Sequence, residues 1–258
     1  MTDKDYQIAT KLVRGGQHRS ENRETSEALY MTSGFVYESA EQAAAAFCDE
    51  IDTFVYSRYG NPTVKMFEQR LALLEGAEAC RATGTGMAAV FGALACQLKS
   101  GDRVVASRAL FGACHAILTK ILPKWGVETE LIDGTDLAAW KAALETPAKL
   151  VFLESPSNPV LELVDIAAVC DLAHDAGALV LVDNVFASPL YQRPLELGAD
   201  IEEAHRSASL VHLGNTSYRV GQKQLMFDGA TERFTNNQEA NAMLKPAYRK
   251  HYRIDDKI

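Results

Sequence analysis

Residues 178–184 read ALVLVDN, and this short stretch indicates how the chain folds. Residues 178–182 are all apolar, as in a parallel strand that is buried on both faces. Asp183 follows at the carboxyl end of the strand, where open α/β sheets bind their ligands. A carboxylate held there can keep a ring nitrogen protonated, bind a ribose hydroxyl or simply cap a loop. The rest of the chain has to distinguish between these roles.

Strand and helix patterns alternate through the middle of the chain. We predict strands near 79–82, 103–106, 127–132 and 149–153, and helices over 112–122, 136–144 and 165–176. Alternation at these lengths is typical of βαβ units, so the predicted fold class is α/β with a mainly parallel sheet. Loops after three strands carry polar or aromatic groups, and a parallel sheet brings such loops to one edge. These loops are SRALFG (107–112), ESPSNP (154–159) and the Asp-Asn pair at 183–184.

Two helices are predicted before this region. Ser39 and Gln42 have the spacing of a capping box, which predicts a short helix that begins after Ser39. The second helix is predicted over 63–78, because its apolar residues recur at spacings of three and four and would form one buried face. The residues of that face are Val64, Phe67, Leu71 and Leu74.

A glycine-rich turn, Thr83-Gly84-Thr85-Gly86, opens the helix that follows the first predicted strand. The first N–H groups of a helix have no partner within the helix, and its dipole favours negative charge there. Such a turn favours a bound phosphate. The pattern is neither a Walker A loop nor the GxGxxG of dinucleotide-binding domains, so we disfavour a Rossmann dehydrogenase domain.

Composition narrows the class of partner. The chain has 258 residues, 47% of them hydrophobic, and a formal net charge of -8, which disfavours nucleic acid or an anionic membrane as the main partner. No apolar run is long enough to span a membrane or to form a signal peptide. Five scattered cysteines without CxxC spacing indicate core residues in a reducing cytoplasm, with no metal site. A small-molecule substrate is therefore expected.

The chain changes character near residue 200. Residues 201–258 hold nine Lys or Arg against seven Asp or Glu, whereas residues 1–200 hold 17 against 27. We predict three regions. They are an N-terminal arm with a short helix (1–50), an α/β domain (51–213) and an atypical tail, partly disordered, over 214–258.

Five motifs, in this order and spacing, resemble the Cys/Met-metabolism family of pyridoxal 5′-phosphate (PLP) enzymes. They are VYSRYGNPT (55–63), ATGTGMAA (82–89), LFG (110–112), ESPSNP (154–159) and LVDNVFASP (181–189). The resemblance covers about residues 10–200. Within the family, RGGQHR, SEALYMTSGFVY and the phenylalanine of LFG most resemble O-succinylhomoserine sulfhydrylases. Cystathionine γ-synthases and methionine γ-lyases are close relatives.

This resemblance implies the large domain of an aspartate-aminotransferase-like PLP transferase, with PLP as the cofactor. Tyr56 and Arg58 would reach into a neighbouring subunit and bind its PLP phosphate, and Arg suits a bidentate phosphate contact. Thr85, Gly86 and Met87 would bind the phosphate within their own subunit. A homodimer or homotetramer with shared active sites follows from the resemblance.

The same resemblance implies which residues would contact the pyridine ring of the cofactor and the groups on it. Phe111 would stack on the pyridine ring, and Asn158 would bind the 3′-oxygen or the substrate carboxylate. Asp183 would pair with the ring nitrogen and keep it protonated. Ser207 and Ser209 align with the family's Ser-Ala-Thr-Lys motif and would also lie at the cofactor.

The sequence departs from the family pattern at the last residue of this motif. Alignment from Ser207 places Leu210 where the family has the lysine that carries PLP and moves protons. Leucine can do neither, so no catalytic residue is assigned. The family's C-terminal small domain is also expected to be missing, as in a truncated or frameshifted gene product.

Three functions remain open on this basis. The first is γ-replacement in methionine biosynthesis, a trans-sulfuration step that makes homocysteine from O-succinylhomoserine and sulfide, impaired because the lysine is missing. The second is a non-catalytic or regulatory PLP-fold subunit. The third is an activity of the cystathionine γ-synthase or methionine γ-lyase type, also on an amino-acid substrate.

Overall fold

Five parallel strands form one sheet, and the first four of them along the chain match strands that the alternating pattern predicts. The computed structural model describes residues 6–203, 227–228, 233–236 and 238. The strand order is β2-β1-β3-β4-β5, with every neighbouring pair parallel. The strands are β1 (Arg103–Ser107), β2 (Glu128–Ile132), β3 (Leu150–Glu154), β4 (Leu179–Asp183) and β5 (Ile201–Glu203). The α/β prediction is confirmed.

Helices connect the strands and precede them. They are α1 (Ile8–Arg14), α2 (Ala40–Phe47), α3 (Pro62–Glu75), α4 (Gly86–Ala95), α5 (Gly112–Ala116), α6 (Leu137–Leu144), α7 (Ile166–Asp175) and α8 (Ser188–Tyr191). The helix predicted over 112–122 is present, but it changes from α to a π-turn at Ile117–Ile121 and then to a 3₁₀ turn at Leu122–Trp125.

The inner strands β3 and β4 are buried on both faces, which explains their uninterrupted apolar runs, whereas β2 at the edge is partly exposed. Alternate residues of β3 belong to two separate apolar clusters, with Val151 and Leu153 in one and Leu150 and Phe152 in the other. The first cluster is completed by α6 and α7, and the second by α4 and α5. A strand covered on both sides cannot alternate apolar with polar residues, so it reads as continuously apolar.

The predicted start of α2 after Ser39 is confirmed, and the Ser39 half of the capping box forms. The Ser39 hydroxyl accepts a hydrogen bond from the Gln42 N–H at 3.1 Å. In return, the Gln42 side chain accepts the N–H of Glu38 at 2.6 Å. The first bond satisfies an N–H that the first turn of the helix leaves without a partner, whereas the second goes to the residue before the N-cap.

The strand predicted at 79–82 is wrong. These residues are irregular, and the N–H of Ala82 donates to the Glu68 carboxylate at 2.8 Å instead of to a neighbouring strand. An extended segment becomes a strand only when another strand pairs with it.

The predicted buried face of α3 is correct for its second half only. Leu71 and Leu74 are buried, but Val64 and Phe67 are 40% and 39% exposed. A cavity of about 1080 Å³ opens beside the first turns of the helix, and Val64 lines it. The helical period is right, but the first half of the face stays partly exposed among the residues that the structure describes.

The chain divides into two compact units, residues 1–205 and 206–258. Within the second, β6 (Phe227–Asp228) pairs with β7 (Arg233–Phe234) in antiparallel fashion. Most of the atypical tail predicted at 214–258 lies outside the described residues. Among the helices that the structure describes, none has both the length and the apolar character to cross a membrane.

Candidate functional site

The carboxyl edge of the sheet brings two acidic strand ends together. Asp183 ends β4 and lies in register with Glu154, which ends β3. Both are buried, with exposed fractions of 6% for Asp183 and 2% for Glu154. One oxygen of Asp183 accepts the N–H of Val185 at 3.0 Å, which orients the carboxylate within the loop that follows.

Glu154 connects two of the loops at this edge. Its Oε1 accepts the backbone N–H of Phe111 at 2.8 Å, and its Oε2 accepts the backbone N–H of Asn158 at 3.1 Å. Burial raises the pKa of Glu154 above its usual value, the two N–H groups lower it, and the nearby Asp183 charge raises it further. Sequence reasoning included Glu154 in a motif but gave it no role. Its place at the end of a buried strand was the available signal.

Cys114 completes a buried cluster with the two carboxyls. It lies in α5 beneath the loop that carries Phe111, and it is fully buried. Its sulfur and one oxygen each of Glu154 and Asp183 lie within 4.8 Å of one another. Because both Glu154 oxygens accept backbone N–H groups, Glu154 links this buried cluster to the loops that carry Phe111 and Asn158.

The glycine turn lies where the sequence predicts it. Thr85 is the N-cap of α4, and its hydroxyl accepts the N–H of Ala88 at 3.1 Å. Gly86 and Met87 are the first residues of the helix, and their N–H groups belong to its free first turn. Thr83 donates its hydroxyl to the Thr85 carbonyl at 2.7 Å, which holds the turn in shape.

Phe111 and Asn158 lie on two loops at the same edge of the sheet. Phe111 is 43% exposed as a residue, although its backbone N–H is held by Glu154. Asn158 is half-buried, and its backbone is held by the same carboxylate. The structure therefore brings these two predicted site residues together with Asp183.

Tyr56 and Arg58 lie on an exposed loop before α3. The Arg58 guanidinium lies over the rings of Tyr56 and Tyr59, at 5.6 Å and 5.0 Å from their centroids. Arg58 also lines the 1080 Å³ cavity, as do Thr83 and Gly84 of the glycine turn. The loop is thus open to solvent and rich in phosphate-binding groups.

Buried amides form a second network that sequence reasoning missed. The Asn184 side chain is fully buried and donates to the Glu202 carboxyl at 2.7 Å and to the Gln192 carbonyl at 2.9 Å. Gln192 in turn donates to the Ser155 carbonyl at 2.6 Å. The loops after β3 and β4 are therefore joined by side-chain hydrogen bonds.

Glu202 in this network is a carboxyl with a strongly altered affinity for protons. Burial raises its pKa to about 7, hydrogen bonds with Asn184 and Glu75 lower it, and the Asp183 charge raises it. Glu75, at the end of α3, is itself buried. With its pKa raised to about 7, Glu202 keeps its proton at moderately acid pH.

Three predicted positions cannot be placed. Ser207, Ser209 and Leu210 lie outside the described residues. The assignment of Leu210 to the lysine position therefore stays a prediction from the sequence.

A family model described as Cys/Met metabolism PLP-dependent enzyme matches residues 9–226. The chain belongs to this family. The fold and the cofactor that the motifs implied are those of the Cys/Met-metabolism PLP enzymes, and the resemblance is confirmed.

Individual family members narrow the comparison. The chain is 57% identical to an O-succinylhomoserine sulfhydrylase of Mycobacterium tuberculosis over 193 residues, which are 75% of this chain and 48% of that protein. It is 42% identical to an L-methionine γ-lyase of Porphyromonas gingivalis over 195 residues, 75% of this chain and 49% of that protein.

A solved structure supports the same family. The crystal structure of cystathionine γ-lyase from Lactobacillus plantarum, complexed with L-serine, matches with a TM-score of 0.68 and 34% identity, over 76% of this chain and 49% of that one. The chain spans about half the length of the relatives it matches.

The residues present fit PLP on structural grounds. A phosphate suits the first turn of α4, where N–H groups point outward. A pyridine ring suits the exposed face of Phe111, and a protonated ring nitrogen suits the buried Asp183 beside Glu154. The α4 and α5 helices that carry the first two groups pack on the same face of the sheet.

Proposed function

We propose that this chain forms the cofactor-binding domain of a PLP-dependent transferase that makes homocysteine from O-succinylhomoserine and sulfide. The observation that carries the proposal is the buried Asp183 at the carboxyl end of β4, which can hold a protonated ring nitrogen. The substrate is inferred from the 57% identity to an O-succinylhomoserine sulfhydrylase. Bound PLP supplies an electron sink for carbanions of an amino-acid substrate.

The chain's own residues have separate tasks in this proposal. Asp183 holds the proton on the ring nitrogen, and Phe111 fixes the plane of the ring by stacking. Thr85, Gly86 and Met87 anchor the phosphate. The cofactor-binding domain is taken as residues 51–213.

The other candidate residues are proposed to contact the substrate or a second subunit. Asn158 orients the substrate carboxylate or the cofactor's 3′-oxygen. Tyr56 and Arg58 bind the phosphate of a neighbouring subunit, in a homodimer or homotetramer with shared sites. We place the protein in the cytoplasm, because all five cysteines are free.

Leu210 limits what the chain can do by itself. With leucine at the lysine position, neither covalent attachment of the cofactor nor proton transfer at that point is available. We propose that this chain alone has no sulfhydrylase activity. The same residue favours a second candidate function, a non-catalytic or regulatory subunit that donates its phosphate-binding loop to a partner.

Binding and attachment of PLP test the proposal together. Equilibrium dialysis measures bound PLP, and borohydride reduction followed by mass spectrometry reports any covalent adduct. Competition with pyridoxine 5′-phosphate, which has no aldehyde, separates site binding from reaction with surface lysines. We expect competable, reversible binding with no competable covalent adduct.

The outcomes separate the parts of the proposal. Absence of competable binding would show that this is not a cofactor site. A competable adduct, or homocysteine formed above the rate with PLP alone, would show that Leu210 has been misinterpreted. Cysteine in place of sulfide, and methionine alone, probe the cystathionine γ-synthase and methionine γ-lyase alternatives in the same assay. The second of these is favoured by the 42% identity to a methionine γ-lyase.

A further inference from the structure

Glu154 is the only side chain that the described hydrogen bonds show holding both of the loops that carry Phe111 and Asn158. Its two oxygens accept one backbone N–H from each loop, at 2.8 Å and 3.1 Å. The two donors are 43 and 4 residues away from Glu154 along the chain, so one contact is tertiary and the other local.

A carboxylate is the chemical group that this position requires. Two N–H donors converge on it, and an ionised carboxylate offers acceptors on both oxygens. A glutamine would offer one acceptor, and its NH₂ group would face the second N–H. Hydrogen bonds from backbone N–H to a charged acceptor are also stronger than those to a neutral one.

The surroundings make this carboxylate a stiff support. Glu154 ends the central strand β3, every residue of which is buried. The adjoining Ser155 N–H donates to the Asp183 carbonyl at 3.4 Å, so the strand ends remain joined beyond the carboxylate. A group at the end of a fully buried strand transmits little motion to the loops that it holds.

We propose that Glu154 is a positioning residue, which joins the Phe111 and Asn158 loops so that both are held at fixed places beside Asp183. This inference rests on the proposed function, since it takes Phe111, Asn158 and Asp183 as the residues that meet the cofactor. Glu154 itself acts through the two backbones and contacts neither cofactor nor substrate. Its loss loosens the site without removing any binding group.

Glu154→Gln tests the proposal with two readouts. Amide hydrogen exchange of the ligand-free protein, followed by mass spectrometry, reports on segments 108–113 and 155–161. We expect exchange in both to rise about tenfold or more, because each loses a bond to a charged acceptor. Calorimetric titration with pyridoxine 5′-phosphate should show a dissociation constant about tenfold higher or more.

Glu24→Gln is the matched control. Glu24 also accepts two hydrogen bonds, both from Ser20, in the N-terminal arm. This variant should change neither the two loop segments nor the affinity. Exchange in α6 and α7 serves as an internal reference, because a general loss of stability would raise it as well.

Glu154→Asp is the second variant if the glutamine variant does not fold. It keeps the charge, but its shorter side chain cannot reach both N–H groups, so faster exchange in at least one loop is expected. Unchanged exchange in both loops, or a rise equal to that in α6 and α7, overturns the proposal. Failure of the unsubstituted chain to bind pyridoxine 5′-phosphate overturns the proposed function, whereas the exchange result still decides whether Glu154 joins the loops.

Discussion

At the scale of single residues, the site depends on two buried carboxyls with different partners. Both oxygens of Glu154 accept backbone N–H groups, whereas Asp183 is oriented by Val185 at the start of the next loop. Burial raises the pKa of Glu154 and the Asp183 charge raises it further, so the two carboxyls repel each other when both are ionised. A cation such as a protonated ring nitrogen relieves this repulsion.

Asp183→Asn should remove the negative charge that keeps the ring nitrogen protonated. We expect pyridoxine 5′-phosphate to bind about tenfold or more weakly, since a buried charge-assisted contact is lost. The bound ring should also lose its proton at a lower pH than in the unsubstituted protein. An absorbance titration of the bound ligand measures this pH.

A control for this experiment lies at the same edge of the sheet. Asp133 follows β2, and hydrogen bonds from Thr135 lower its pKa. Asp133→Asn should leave both the affinity and the ring titration unchanged. If the two variants behave alike, Asp183 is not the partner of the ring nitrogen.

At the scale of elements, the pairing of strands and the packing of helices on the sheet decide which segments with a suitable local pattern become buried elements. β3 and β4 form as predicted because strands lie on both sides of each and helices cover both faces. Residues 79–82, which include the charged Arg81, pair with no strand among the described residues, and the N–H of Ala82 donates to a side chain of α3 instead. The first half of α3 has the right period but stands beside a cavity.

The pairing of β5 with β4 brings Glu202 beside Glu75 and makes stability depend on pH. The folded-state pKa of Glu202 is about 7, above its ordinary 4.5. Between these values the folded protein keeps a proton that the unfolded chain has released. The free energy of unfolding should therefore fall as pH rises through this window, by at most about 1.4 kcal/mol per pH unit.

Glu202→Gln should abolish that slope. Urea unfolding at several values between pH 5 and pH 8 measures it, and the variant should gain stability relative to the unsubstituted protein as pH rises. Glu24→Gln is again the control, because the pKa of Glu24 is lowered and its titration lies below the window. Parallel pH curves for the unsubstituted and Glu202→Gln proteins would contradict the assignment.

At the scale of the whole molecule, we expect this chain to contribute its exposed loop before α3 to the phosphate site of a neighbouring subunit. Tyr56 is 44% exposed and Tyr59 is 73% exposed, on the same loop as Arg58. Exposed aromatic groups beside a guanidinium suit a role in a neighbouring subunit's phosphate site. Such a role would not depend on whether Leu210 stands at the lysine position.

Complementation tests this contribution. An O-succinylhomoserine sulfhydrylase in which the equivalents of Tyr56 and Arg58 are replaced by alanine would be mixed with this chain. We expect the two to co-elute in size-exclusion chromatography and homocysteine formation to recover. The Arg58→Ala variant of this chain should co-elute without restoring activity. Absence of co-elution, or equal recovery with that variant, would rule out a shared site.

Interactions between near neighbours in sequence were sufficient for the helix starts, the buried strands and the position of Asp183. Ser39 and Gln42 are three residues apart, and the apolar run before Asp183 is continuous. In both cases the sequence pattern and the element that it predicts lie in the same few residues. The five motifs likewise identified the family, because they lie in an order and spacing that a chain can be compared with directly.

Contacts between distant segments required the folded chain. Glu154 meets the N–H of a residue 43 positions away, and Asn184 meets Glu202 18 positions away, so neither role has a local pattern. The irregular course of 79–82 likewise depends on Glu68, a residue on another element. A hydrogen bond across the sheet depends on strand order and register, and those arise from the packing of the whole domain.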